Sequence, residues 1–450
     1  MKKKSEEIIV EQLENSAHEE DKLEPEFEYK HTKRKRKMRA TCTLIGILLF
    51  ESVVGAVFGY VSTSEGFHVR AWQQSQMALK GKISTSTGTY TGETEFGYIN
   101  GEGTFKFDTG AKYCGEFKNN EISGHGTLKI PFEGTYDGDF LNSEKSGTGT
   151  FKWTDGTTYT GKWKHDKFNG QGNYLSADGV QYKGTFKDNT FWQGSCEFTN
   201  SSGKYIISYK NGEITRASII YSNGAIYEGD CAKDSVSGEG TLTFPNLDKY
   251  SGQFKDNVRS GSGVYSWSNG DSFDGEWKND KMSGSGVYSY ADGSKASGTF
   301  KENTFTDGTY TVDNDLGSYE FTIVDNTPIS VSIELKAGTK YNGDMKDGKL
   351  TGSASITYSN GDEYSGAVED GSKSGHGQYT WKSGAKYDGN WAKDKMSGSG
   401  VYYYPKDSSG YKLVGKFKDG RPNGQCQYYV SSSESYKTDW SNGSCVKIYE

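Results

Sequence analysis

Apolar positions along most of this chain do not recur at helical spacing. They come as a tyrosine, a glycine two residues later and an aromatic or apolar residue two beyond that. Side chains at i, i+2 and i+4 of a strand share one face, so the pattern predicts strands with an aromatic face. Tyr-x-Gly opens at Tyr90, Tyr113, Tyr136, Tyr159 and Tyr182, each 23 residues after the last. It resumes at Tyr227, Tyr250, Tyr341, Tyr364 and Tyr387, while Phe273, Ala296 and Leu413 hold the same place elsewhere. About eleven residues on comes Gly-x-Gly, as at Gly124/Gly126 and Gly398/Gly400. Turn-like runs such as "HDKFNG" and "AKDKMSG" lie between the two motifs, and "TDG", "ADG" or "SNG" at the other end read as tight hairpin turns. Each 23-residue period is therefore expected to be one β-hairpin. A ring from the adjacent strand is expected to cover the glycine on the aromatic face.

A fixed period means a repeat architecture, because one hairpin cannot bury its own face and a stack of them can. A longer period overlies the first. "FKDNTFWQGSCEFTNSSGKY" from Phe186 aligns with "FKENTFTDGTYTVDNDLGSY" from Phe300, an offset of 114 that Tyr227 and Tyr341 keep. Three sub-arrays follow, at 90–226, 227–340 and 341–450. Each closes with a degenerate hairpin rich in β-branched residues, such as "YIISYKNGEITRASIIY", with a turn signal at Asn211-Gly212. These closing units are expected to cap or bend the array. The fold class expected is all-β: an elongated single-layer antiparallel meander of about sixteen hairpins, preceded by one transmembrane helix.

The N-terminal segments follow other patterns. Residues 1–40 are a polar tail read as disordered, ending in "KRKRKMR". Residues 41–61, "TCTLIGILLFESVVGAVFGYV", are 21 residues long and mostly apolar, enough to span a bilayer. The basic run precedes this span and the other flank is sparse in Lys and Arg, which places the N-terminus in the cytoplasm and the repeats outside. Within the span, Glu51, Gly55 and Gly59 fall on one helical face and predict helix pairing, hence a homodimer through the membrane. Residues 62–88 read as a juxtamembrane spacer, helical around Val69–Lys80.

Composition agrees with many short strands and tight turns. Of 450 residues 60 are Gly and only 6 Pro, and aromatics reach 14%, more than a disordered chain carries. The net charge is −7, and residues 1–40 carry 11 basic and 10 acidic side chains, so the excess acid lies in the body. An acidic body argues against nucleic acid as a partner. The six cysteines, Cys42, Cys114, Cys196, Cys231, Cys426 and Cys445, show no Cys-x-x-Cys and no zinc spacing. His125 and His376 fill the middle of Gly-His-Gly, where other copies have serine. No catalytic motif, phosphate loop or metal-ligand run appears, so no enzyme activity, cofactor or metal is expected. The scattered carboxylates read as solvated. Trp163, Trp267, Trp277, Trp381 and Trp391 are the candidates for an open groove taking a glycan or a peptide.

"YTGKWKHDKFNGQGNY", "YSGQFKDNVRSGSGVY" and "YDGNWAKDKMSGSGVY" resemble the MORN repeat, Y-x-G-x-[WF] followed by G-x-G, over roughly residues 88–430. The resemblance implies a twisted single sheet of stacked hairpins serving as a scaffold, dimerisation or membrane-associated interaction module. The expected function is a non-enzymatic single-pass protein of the cell membrane, displaying a platform for protein partners. The rival is a surface glycan or cell-wall binder that uses the ring stripe.

Overall fold

The computed structural model describes residues 79–449 except 234, 407 and 409. The tail, the span at 41–61 and its Glu51, Gly55 and Gly59 lie outside the described residues. Among the described residues there are thirty-three strands and no helix, and so no helix long and apolar enough to cross a membrane. The chain forms two compact units, dividing between Ser260 and Gly261. Within each, consecutive strands pair antiparallel.

The first unit begins with β1 (Leu79–Thr85), β2 (Gly88–Glu95), β3 (Tyr98–Phe107) and β4 (Lys112–Lys118). It continues through β5 (Glu121–Ile130), β6 (Gly134–Leu141), β7 (Glu144–Trp153) and β8 (Thr158–Lys164). Of the stretch read as a spacer, 62–78 lies outside the described residues, and 79–85 is the strand β1: Leu79 opposes Thr94 and Ile83 opposes Tyr90.

Each hairpin turns tightly at the end away from "TDG". Asn119-Asn120, Asn142-Ser143 and His165-Asp166 have positive φ at both residues, the type I′ geometry that suits strand twist. Asn, Asp and His tolerate this left-handed region better than most residues. The second turn residue also ties its hairpin to the one before. Asn120 accepts the Ile99 amide at 2.8 Å, Asn189 that of Phe168 at 2.7 Å and Asn257 that of Val236 at 2.8 Å. The "TDG" end is wider than expected: the Trp153 amide donates to the Thr157 carbonyl across a four-residue connection.

A bulge recurs in every full repeat. Gly92 opposes Gly103, but the next pair is Thr94 with Ile99, so β3 holds two extra residues there. Gly101, first of its Gly-x-Gly, takes φ +82° in this bulge, where an L side chain is strained.

The degenerate hairpins continue the meander. Gly203–Lys210 and Glu213–Tyr221 turn at Asn211-Gly212, with φ 55° and 81°. Their outer edges pair with Thr190–Asn200 and Ile226–Ala232. In the second unit, Gly317–Val324 and Thr327–Leu335 are likewise paired on both sides. These two hairpins therefore cap nothing. Tyr205, Ile207, Ala217 and Ile219 are buried in the first, filling with branched side chains the space that ring and glycine fill elsewhere.

Candidate functional site

The repeat signature is an assembly of four parts. The anchor tyrosine lies over the glycine two residues on in its own strand, and over that glycine's partner in the next strand. A Cβ built on Gly138 would sit 2.3 Å from Gly149 Cα and 2.6 Å from the Tyr136 hydroxyl; one on Gly149 would sit 2.5 Å from Tyr136 Cε2. The covering ring is thus the strand's own, not only a neighbour's as the spacing suggested. Having crossed the glycine, the hydroxyl donates to the carbonyl three residues downstream. Tyr90 reaches Glu93 O at 2.7 Å, Tyr136 reaches Asp139 O at 3.0 Å, and Tyr364 reaches Ala367 O at 2.6 Å. Burial, aided by Glu93 and Glu102, pushes the Tyr90 phenol up to about 12. Tyr113, Tyr136 and Tyr159 are raised further, with burial as the largest cause.

The aromatic at i+4 stands edge-on between two tyrosines. Phe117 meets Tyr90 at 5.0 Å and Tyr113 at 5.1 Å; Phe140 meets Tyr113 and Tyr136; Trp163 meets Tyr136 at 5.1 Å and Tyr159 at 5.2 Å. The series is a continuous edge-to-face ladder, each contact contributing about 0.5–1.5 kcal/mol beyond area burial. Between glycine and aromatic sits the part that sequence reasoning missed. Glu93, Glu116, Asp139, Asp230 and Asp344 accept the amide inside the bulge, for example Thr148 N to Asp139 at 2.8 Å and Ser353 N to Asp344 at 2.8 Å. In the sequence these carboxylates look scattered and solvated; their fixed place three after the tyrosine is the signal that sets them apart.

Trp163, Trp277 and Trp391 are buried in the ladder. Their indole N–H groups donate to Gly149, Gly263 and Gly377 carbonyls at 3.0–3.1 Å. Trp267 and Trp381 are half-buried, tilted against Tyr265 and Tyr288, and against Tyr379 and Tyr402. The three buried tryptophans offer a ligand no open face. Trp163 and Trp391 each lie against a lysine of the protein itself. Lys145, with no exposed side-chain surface, places its ammonium 3.1 Å from Asp166 and over the Tyr136 and Trp163 rings at 5.8 and 5.4 Å. Lys373 does the same with Asp394 at 2.9 Å, among the rings of Tyr358, Tyr364, Tyr379 and Trp391. Burial opposes charge on Lys373, yet the Asp394 hydrogen bond and the neighbouring Tyr358 and Asp394 raise its pKa. Burial likewise works against Asp394, but its contacts with Lys373 hold it below the carboxylate range.

Lys145, Arg259 and Lys373 are spaced by 114, as are Trp163, Trp277 and Trp391, and Asp166, Asp280 and Asp394. One Lys or Arg, one Trp and one Asp thus recur with the longer period. Lysine in other positions here is solvated, which is why the pattern did not read as core.

The face opposite the rings is polar. His125 lies 3.5 Å from Asp139 and 3.6 Å from Asp137, and borders a shallow, open depression with Thr148, Thr150 and Thr160. Among the described residues no group of three or more His, Cys, Asp or Glu could hold a metal ion.

The MORN repeat family model matches ten segments: 90–112, 113–131, 136–158, 159–181, 250–272, 273–295, 341–363, 364–386, 387–409 and 414–433. No curated protein sequence matches. Among solved structures, the TCP10 domain of Danio rerio CPAP with a STIL peptide is similar at 10% identity and TM-score 0.17, covering 68% of this chain and 98% of that one. The Drosophila melanogaster SAS-4 TCP domain with an Ana2 motif follows at 14% identity and TM-score 0.13, over 50% and 90%. Staphylococcus aureus virginiamycin B lyase follows at 11% identity and TM-score 0.11, over 66% and 96%. Scores this low assign neither fold nor function to this chain.

Proposed function

Because this chain belongs to the MORN-repeat family, a family of non-catalytic repeat scaffolds, we propose that it is a single-pass membrane protein displaying an interaction platform for protein partners. The observation that carries the reading is where the signature residues go. The tyrosines, glycines, i+4 aromatics and bulge carboxylates are all engaged in holding the sheet together. What remains in water is a regular polar face, suited to contact with another protein over many strands. The anchor rests on the sequence: an apolar stretch of spanning length at 41–61 follows the basic run 33–39. That order favours a cytoplasmic tail and repeats on the far side of the membrane. Glycan binding along the ring stripe has less support, since Trp163, Trp277 and Trp391 face inward.

Protease shaving of intact cells, with a tag at each end, tests the display. The C-terminal tag is expected to disappear while the N-terminal tag survives. Loss of the N-terminal tag alone reverses the orientation and makes this a cytoplasmic scaffold. Survival of both contradicts surface display.

A further inference from the structure

On the polar face of the first unit the fold sets like charges side by side. Lys106 on β3 is directly opposite Lys112 on β4, and Lys112 is directly opposite Lys129 on β5. The same row runs on through Thr135 on β6 to Lys152 on β7. All four lysines are exposed, and among the described residues none of them is held in an ion pair. Like charges directly opposed across strands destabilise a sheet. Nothing in the packing requires them, whereas the carboxylates of the same face have the bulge amides to hold.

A second feature borders this row. The connection between β5 and β6 presents Phe132, 98% exposed, at φ 61°. Left-handed backbone at a bulky residue is unfavourable. Here the Thr154 hydroxyl donates to the Phe132 carbonyl at 3.0 Å, tying this backbone to the next connection. A cationic row with an exposed aromatic beside its middle combines charge that steers a partner with an apolar surface that can hold it.

The rest of the face limits what can lie there. Glu102 opposes Glu116, in a row that also holds Asp139, four residues along the strands from the lysines, about 13 Å away. A flat anionic bilayer or a duplex would cover both rows and be repelled by the second. A narrow chain lying across the strands meets the four lysines and Thr135, and of the same face's carboxylates it comes beside Asp137, two residues along β6.

Building on the reading of this protein as a platform for protein partners, we propose that Lys106, Lys112, Lys129, Lys152 and Phe132 dock an acidic polypeptide segment carrying an apolar residue for Phe132. Long-range attraction between the lysine row and the carboxylates steers the segment, and the Phe132 contact holds it.

The test is fluorescence anisotropy of the full chain in detergent with a labelled Glu/Asp-rich peptide of 15 residues bearing one central Leu. Saturable binding that weakens with salt is expected, and K106E/K112E/K129E should weaken it by about tenfold or more. The gentler K106Q/K112Q/K129Q should do so less, with circular dichroism unchanged in both. F132S should weaken the Leu peptide and leave its Leu→Ser counterpart unaffected. No saturable binding, or equal binding by the wild type and the reversed variant, overturns the proposal. So does equal binding of a sulfated oligosaccharide or of vesicles rich in phosphatidylserine, which would mark a general polyanion surface. A flat titration leaves the platform reading standing, because that is judged by shaving of intact cells.

Discussion

Asp166→Ala will destabilise the first unit by about 3–5 kcal/mol, because it takes from the buried ammonium of Lys145 the carboxylate 3.1 Å away. The expectation rests on geometry. Lys145 has no exposed side-chain surface, and its Asp166 partner also accepts the Lys145 amide at 2.9 Å. One carboxylate therefore satisfies two donors. The other charged neighbour is Glu133, whose own carboxyl is raised by burial and lowered by Lys145. Replacing both partners, as Lys145→Met with Asp166→Asn, should cost far less, since methionine stands in the same place in two other hairpins, at Met282 and Met396. Asparagine is also the natural residue at Asn120, Asn189 and Asn257, where it still accepts the amide. Urea denaturation of the single and double variants measures the difference. If the double variant is no more stable than Asp166→Ala, the buried charge is not the source of the cost.

The same pair in the second unit gives a pH dependence. Asp394 is held below its ordinary pKa, so its contribution is present above roughly pH 4 and is lost as pH falls through the depressed value. Lys373 is held above its own, so its contribution is present below roughly pH 10 and is lost as pH rises through the raised value. Stability of the second unit should therefore fall off in acid, and Asp394→Asn should flatten that limb.

The second large effect concerns the glycine pair under each ring. Gly149→Cys is expected to cost about 1–3 kcal/mol, because its side chain must occupy the place of the Tyr136 ring. The chain contains its own compensation. At the hairpin whose anchor is Leu413, the residue opposite Gly415 is Cys426, and both Leu413 and Cys426 are buried. A shorter anchor leaves room for a larger partner. Tyr136→Leu should therefore recover part of the loss when combined with Gly149→Cys, although it also removes the hydroxyl's bond to Asp139 O. Thermal unfolding of the two single variants and the double variant reads the coupling. Strictly additive losses would mean that ring and glycine do not share the space.

Much of this architecture was legible because the constraint is local and repeated. The spacing Tyr-x-Gly-x-Phe, as at Tyr113–Phe117, gives the strand, its face and its period. Fixed distances between copies give the meander. Three things were not legible, each for a physical reason. That Tyr136 lies over Gly138 of its own strand depends on the rotamer the bulge allows, which spacing does not state. The role of Asp139 is hidden because a carboxylate three after a tyrosine looks like any exposed acid until the bulge amide is placed beside it. The buried Lys145 was hidden because lysine is assigned to water by default. Its recurrence as Arg259 and Lys373, with Trp163, Trp277 and Trp391, was nevertheless in the sequence at an offset of 114. Those tryptophans are ligand candidates in the sequence, and the structure sets Trp163 and Trp391 against the protein's own lysines.

The central claim is that the aromatic signature forms the core and leaves recognition to the opposite face. Hydroxyl-radical footprinting of the full chain, read by mass spectrometry at single residues, tests it most directly. The account predicts that Trp163 and Trp391 oxidise much more slowly than Phe132, which is 98% exposed, and Tyr411, which is 47% exposed. Oxidation of Trp163 and Trp391 as fast as Phe132 and Tyr411 would contradict it, because the ring ladder would then be an open groove.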